Sequence, residues 1–309
     1  MDFHVIGVGE VLWDLLLTGP QLGGAPANFA YHAHALGARA QVITRVGNDD
    51  YGREIIRRFH DMGLRDTAVQ VDEAVPTGVA KVELSGNGLA HFTIQENVAW
   101  DRIALTAKAV AAANAADAIC FGSLAQRSET SRNTIQELVA ATPGDALRVF
   151  DINLRQKFYS REVVEHSLQL ANVLKLNDEE LPTLVAMFNV AAGTRTGESA
   201  PHEIQSQIER LAQLFSLRVV AYTRGAQGSL LYQEGRWSDC PSSPVKVVDT
   251  VGAGDSFTSA MVLGLLRKMD LDEINEIANA VARHVCTQPG ATPVLPGEFA
   301  ARSSSSPTR

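Results

Sequence analysis

The feature that most constrains this fold is the alternation of short apolar runs with helical stretches along most of the chain. Phe3 to Val8, Ala40 to Val46, Ala118 to Phe121, Arg148 to Asp151, Val173 to Leu176 and Arg218 to Thr223 read as short, buried strands. Between them fall stretches with helical start and stop signals. Pro26 to Leu36 carries proline in its first turn and ends at Gly37, Tyr51 to Met62 closes at Gly63, and Ser131 to Ala141 stops near Pro143. Arg161 to Leu170, Ile204 to Phe215, the strongly apolar Ser256 to Met269 and Ile274 to Cys286 complete the helices. Strands separated by helices must be joined by crossovers, so the pattern predicts an α/β fold with a mostly parallel sheet. At 309 residues the chain suits one large domain or a domain with an appendage.

One region breaks the alternation. Val79 to Leu84 and Leu89 to Ile94 are extended runs around Ser85-Gly86-Asn87-Gly88. Asn-Gly between β-rich runs is the strongest short hairpin signal, so a hairpin is expected here, standing off the main sheet as a lid. The serine-rich Ser303 to Arg309 reads as a disordered tail.

Charge and cysteine content narrow the function. Lys plus Arg number 27 against 35 Asp plus Glu, a net charge of −8, which argues against a partner such as nucleic acid or an anionic membrane. Phosphate binding stays open, because backbone amides at one helix end hold a phosphate without a basic patch. Cys120, Cys240 and Cys286 show no paired spacing, which excludes a disulfide scaffold and a cysteine zinc site and suits a reducing compartment. Asp2, His4, Glu10 and Asp14 interrupt the N-terminal apolar run, and no stretch approaches the roughly 20 apolar residues of a membrane span. A cytoplasmic location is expected.

The strongest local motif is Asp249-Thr-Val-Gly-Ala-Gly-Asp255-Ser-Phe, after an expected strand Val245 to Val248 and at the start of the apolar helix. Two glycines around one alanine let amides converge at a helix N-terminus, an anion cradle. A carboxylate there, Asp255, makes sense as the group that takes a proton from a hydroxyl attacking a phosphoryl group. The helix end should favour its ionised form and leave it a weak base. A helix cap with glycines in a tight turn explains the same residues equally well. The second motif, Gly23-Gly24-Ala-Pro-Ala-Asn28-Phe-Ala30, precedes a helix, with Asp14 upstream. Asp14 and Asn28 beside a glycine turn suit the vicinal hydroxyls of a polyol; a capped helix after a plain loop is the alternative.

Several signatures are missing. There is no Gly-x-x-x-x-Gly-Lys-[Ser/Thr] loop, and Gly7-Val-Gly9-Glu-Val-Leu12 lacks the third glycine of a dinucleotide fold. His32 and His34 point apart on a helix, and neither the zinc His-Glu-x-x-His nor the Gly-x-Ser-x-Gly motif occurs.

Together the two motifs resemble the ribokinase-like (PfkB) family of carbohydrate kinases. The N-terminal signature runs as Gly23-Gly24, Asn28, Ala30, Gly37 and Gly47, and the C-terminal one spans Asp249 to Ala260. The resemblance implies a three-layer α/β/α fold whose central, mostly parallel sheet is of nine-stranded type, with a small β lid over the sugar site. The core would take residues 1–10, 21–74 and 101–300, the lid 11–20 and 75–100, and a tail 301–309. By the same resemblance Asp255 is the catalytic base, and Gly252, Ala253 and Gly254 form the anion hole. Asp14, Gly24 and Asn28 contact sugar, with Asn97 a further candidate. Arg155, in Asp151-Ile-Asn-Leu-Arg, faces substrate or phosphate, although Ile152 replaces a common proline. Asn177, Thr223, Gly225, Gly228 and Asn279 contact ATP, and Glu180 reaches magnesium through water. Asp249, Val251, Val285, Gln288 and Gly290 fall near a potassium site, while Lys175 is read as structural.

The expected activity is transfer of the γ-phosphoryl group of MgATP to a sugar hydroxymethyl group. The Gly-Glu-Val-Leu-Trp-Asp14 start and Gly-Gly-Ala-Pro-Ala-Asn28 look most like fructokinases. A 2-keto-3-deoxygluconate kinase, a ribokinase and a nucleoside kinase are the alternatives within the family. A non-catalytic sugar- or nucleotide-binding regulator is the alternative outside it, and a homodimer through the lid is expected.

Overall fold

Successive residues of the interior strands face two different cores, and this alternation sets the layers. A computed structural model describes residues 3–16, 19–84, 90–190 and 200–302. In β1 (His4–Val8) Val5 joins one apolar cluster, while Ile6 and Val8 join the other. Both faces are therefore covered, as a parallel sheet requires. The remaining strands are β2 (Leu12–Leu16), β3 (Gly19–Gly23), β4 (Arg39–Gly47), β5 (Val69–Asp72), β6 (Gly78–Leu84) and β7 (Ala90–Ile94). They continue with β8 (Ala118–Phe121), β9 (Leu147–Asp151), β10 (Val173–Asn177), β11 (Val219–Thr223), β12 (Ser229–Gln233) and β13 (Arg236–Cys240). The helices are α1 (Ala25–Ala35), α2 (Asp50–Asp61), α3 (Ala107–Asn114), α4 (Glu129–Ala141), α5 (Arg161–Leu170), α6 (Leu181–Phe188), α7 (Ala200–Phe215), α8 (Ala253–Leu266), α9 (Leu271–Cys286) and α10 (Gly297–Arg302).

The main sheet has nine strands in the order β13-β12-β11-β10-β9-β8-β1-β4-β5, parallel from β11 to β5 and antiparallel at the β11–β12–β13 end. Helices α1, α2, α8, α9 and α10 supply the core on one face, and α3 to α7 supply it on the other. This is the α/β fold with a mostly parallel sheet expected from the alternation, in the three layers that the family resemblance implies.

A second sheet, β3-β2-β6-β7, stands apart from the first. Its β6–β7 hairpin pairs Ala80 with Ile94 and Leu84 with Ala90; the Ser85 to Gly88 turn falls outside the described residues. The other half, the β2–β3 hairpin, lies beside β6 with Leu12 opposite Gly78.

The structure corrects three expectations. Val245 to Val248 form no strand; 241–247 carry no regular structure, and Val247 and Val248 are each 57 % exposed. The sheet edge is closed instead by the β12–β13 hairpin, whose turn residues Glu234 and Gly235 have φ of 49° and 88°, the left-handed pair that a tight two-residue hairpin turn needs. The apolar helix begins at Ala253, three residues before Ser256, with Gly252 as its N-cap. Finally, α10 runs two residues into the segment expected to be tail, and 303–309 are not among the described residues. No described helix is long and apolar enough to cross a membrane.

Candidate active site

Strands β1, β9, β10 and β11 are parallel neighbours or near-neighbours, so their C-terminal ends open on one edge of the sheet, where ligands of α/β folds bind. The N-terminus of α8 meets the same edge. Together with Leu12, Asp14, Ala80 and Ile94 of the second sheet, these ends enclose a groove of about 1070 Å³. Asp14, Gly24, Asn28, Arg155 and Asp255 line it, as do Gly252, Ala253 and Gly254. Asn177, Thr223, Gly225, Gly228, Asn279 and Val251 line it too.

Gly252 has φ of 78°, and a Cβ there would lie 2.3 Å from the Ala291 carbonyl oxygen. Only glycine fits, and the turn it makes leaves the first amides of α8 facing the groove. Asp255 sits in the first turn of that helix and accepts a 2.8 Å hydrogen bond at Oδ2 from Nδ2 of Asn28. Beneath it lies a buried ion pair, Lys175 Nζ to Asp151 Oδ1 at 3.0 Å, with the Thr258 hydroxyl donating to Asp151 Oδ2 at 2.9 Å. The two residues are direct partners in the β9–β10 register and share parity with the apolar residues facing α8, so both charges point under its first turn. A Cβ on Gly254 would stand 3.0 Å from the Lys175 ammonium.

Burial is the main influence on the acids here. It pushes Asp255 up to about 6, aided by repulsion from Asp151 and opposed by the Asn28 hydrogen bond, Lys175 and Arg155. Burial thus works against the ionised form that the helix end was expected to favour. Asp14 is pushed up to about 6 by burial, with Arg155 opposing. Arg155, exposed, is tethered by Nη2 to Asn153 Oδ1 and by Nη1 to the Leu154 carbonyl, each at 3.2 Å.

At the other end, Asn177 Oδ1 accepts the Glu179 and Glu180 amides at 2.9 Å each, and the Thr223 hydroxyl reaches the Leu176 carbonyl at 3.4 Å. Asn279 donates to Ser229 Oγ and to the Asn275 carbonyl, so it is fixed by α9 and β12. Val245, Val247 and Cys286 give this end an apolar wall.

Six expected residues do not line the groove. Asn97 is exposed on the loop after β7, with φ of 56°. Glu180 is 4 % exposed, and its oxygens accept the Leu154 and Asn177 amides at 3.1 and 2.9 Å, so it braces the loops after β9 and β10. Asp249 accepts the Val251 and Gly290 amides at 3.0 Å each, which ties the loop before α8 to the chain after α9. Val285 and Gln288 belong to that same junction, Gln288 N donating to the Val285 carbonyl at 3.0 Å. Among the lining residues that escaped the sequence reading as site residues are the polar Glu10, Asn153 and Lys175. A lysine in the apolar Val173 to Leu176 run, and a glutamate directly after a buried strand, were the available signals.

The nine-stranded sheet, the smaller sheet beside it and the glycine-lined helix start have the layout expected of a carbohydrate kinase. The profile of the pfkB family carbohydrate kinases matches residues 19–297, and the chain belongs to that family. It is 28 % identical over 297 residues to the uncharacterized sugar kinase PH1459 from Pyrococcus horikoshii, covering 90 % of this chain and 88 % of that one. The structure described as that uncharacterized sugar kinase in complex with ATP aligns with a TM-score of 0.78 at 26 % identity, over 97 % of this chain and 99 % of the other. Fructokinase-1 of Oryza sativa subsp. japonica is 28 % identical over 320 residues, 95 % of each chain. A fructokinase of Xylella fastidiosa with bound ATP, 22 % identical and 98 % covered on both sides, shares the fold with a TM-score of 0.81.

Proposed function

We propose that this kinase transfers the γ-phosphoryl group of MgATP to the hydroxymethyl group of a sugar, with fructose giving fructose 6-phosphate as the leading reaction. The observation that carries the reading is the position of Asp255: a buried carboxyl in the first turn of α8, bonded to Asn28, on the wall of the groove. A carboxylate there orients the attacking hydroxyl and takes its proton as the phosphoryl group departs. The amides of Gly252, Ala253 and Gly254, with Lys175 beneath them, hold the charge of the migrating group. Asp14, Gly24, Asn28 and Arg155 take the sugar at the lid end, and Asn177, Thr223, Gly225, Gly228 and Asn279 take the nucleotide. The lid excludes water, which suppresses ATP hydrolysis. Support for fructose comes from the fructokinase among the relatives and from the Gly-Gly-Ala-Pro-Ala-Asn28 segment.

Magnesium enters as part of the substrate MgATP. Among the described residues no group of three or more His, Cys, Asp or Glu is placed to hold a metal, and Glu180 turns its oxygens to backbone amides, so it fits as a brace of the phosphate loops. Potassium is the remaining element of the proposal, at the junction of Asp249, Val251, Val285, Gln288 and Gly290. Asp249 already draws Val251 and Gly290 together there.

ADP release from MgATP, measured over fructose, ribose, 2-keto-3-deoxygluconate and a nucleoside in sodium and in potassium buffer, tests this. Turnover that depends on an acceptor, highest with fructose, is expected. ADP formation with none of them contradicts the proposal and favours a binding protein.

A further inference from the structure

Glu10 follows β1 at the point where the chain leaves the main sheet for the lid. It is 4 % exposed and lines the groove, and its Oε2 is buried without a hydrogen-bond partner among the described residues. Two more buried polar atoms of groove-lining residues are equally unpartnered, Asn28 Oδ1 and Asn153 Nδ2. A buried polar atom left unpaired is destabilising, so three around one groove mark places that a ligand completes.

Their chemistry narrows that ligand. One is a carboxyl oxygen, one an amide carbonyl oxygen and one an amide NH2, so the partner must both donate and accept hydrogen bonds. A polyol does so at every hydroxyl. Glu10 belongs to the acceptor end: it feels the charges of Arg155 and Asp255, and a Cβ on Gly24 would stand 2.5 Å from its carbonyl oxygen. Arg155 bonds Asn153 and acts on Glu10, Asp14 and Asp255 alike, so these groups share one neighbourhood.

We propose that Glu10 is a specificity-determining residue of the acceptor site, its free oxygen pairing with a hydroxyl of the bound sugar beside Asp14 and Asn28. The inference rests on the sugar-kinase reading and deepens it by adding a residue that selects the sugar. Burial pushes the Glu10 carboxyl up to about 7, so near neutrality it is present both as acid and as carboxylate. Either form pairs with a hydroxyl, as donor or as acceptor.

Glu10→Ala and the isosteric Glu10→Gln, compared with wild type over the same acceptor panel, provide the test. Glu10→Ala is expected to raise the KM of the preferred sugar by about tenfold or more, leave the MgATP KM within about twofold, and change the order of kcat/KM among the acceptors. Glu10→Gln, which keeps one donor and one acceptor, should fall between. A purely structural Glu10 would lower the melting temperature and leave the acceptor KM and the acceptor order unchanged, and that result overturns the proposal. Failure of both variants to fold overturns it as well. A wild-type protein that turns over while both variants match it removes only this role, whereas a wild type with no acceptor-dependent turnover removes the kinase reading itself.

Discussion

Asn28 and Asp255, 227 residues apart in the chain, are joined by a 2.8 Å hydrogen bond from the amide of one to the carboxyl of the other. Each lies in the first turn of its helix, α1 and α8, which pack side by side on one face of the sheet. The glycine turn expected to meet sugar and the one expected to meet phosphate therefore share a wall. On the proposed reaction, acceptor binding and proton acceptance are linked through this bond.

Removing the bond has a signed consequence. Asp255 must be ionised to accept a proton, so kcat/KM should fall as pH drops through about 6, the value to which burial first and Asp151 second raise it. The Asn28 hydrogen bond favours the ionised form. Asn28→Ala should raise the sugar KM more than the MgATP KM and move the acidic limb of the pH–rate profile to higher pH. A limb that moves to lower pH, or a larger effect on MgATP, would show that Asn28 serves the nucleotide.

The same carboxyl should cost stability. Its folded pKa lies above its ordinary value, so the folded state holds the proton more tightly and loses stability as pH rises from about 4 through about 6. Asp255→Asn should therefore unfold at higher urea than wild type at pH 7.5, with the difference shrinking at pH 4.5. A variant less stable than wild type at pH 7.5 would mean that the carboxylate is better solvated than its burial implies.

Lys175 and Asp151 are 3 % and 4 % exposed, so the ion pair between them is buried at the floor of the groove. Lys175→Met leaves Asp151 buried and unpaired apart from Thr258, and should cost about 3–5 kcal/mol in a urea titration. Lys175→Met combined with Asp151→Leu should recover much of that stability while activity stays low, because the cation beneath Gly254 is still missing. Wild-type turnover in the double variant would reduce the pair to a packing element.

Strands β3 and β7 are the outer strands of the lid sheet, and an open strand edge readily pairs with another chain. A homodimer through the lid is expected by light scattering, and a proline at Thr93, in β7, should weaken it if that edge is used. A monomer at all concentrations would rule the arrangement out.

Much of this architecture was legible because burial on two faces leaves a plain imprint. Runs such as Ala118 to Phe121 have no polar option, and Pro26 and Gly37 bracket α1 by backbone geometry alone. What stayed hidden depends on long-range partners. Strand β2 contains Asp14, and β3 contains Gly19 and Pro20; neither has an apolar period, and β2 becomes a strand only because β3 and β6 flank it, β3 only because β2 is there to pair. Val245 to Val248 show the converse, an apolar run without a partner strand, in which Val245 and Val247 instead line the groove. The glycines around Asp255 announced an anion cradle, but nothing local could show that Asp151 and Lys175 lie beneath it or that burial raises the carboxyl's hold on its proton. Glu10 was passed over for the same reason: a glutamate after a strand is ordinary until the fold is seen to bury it on the wall of the groove.

The central claim is that Asp255 takes the proton of the attacking hydroxyl. Steady-state kinetics of Asp255→Asn with saturating MgATP and the preferred sugar test it most directly. The account predicts a kcat lower by about two to four orders of magnitude, with both KM values within about threefold of wild type, the pattern of a lost general base. A kcat within about tenfold of wild type, in a protein confirmed to be folded, would contradict it.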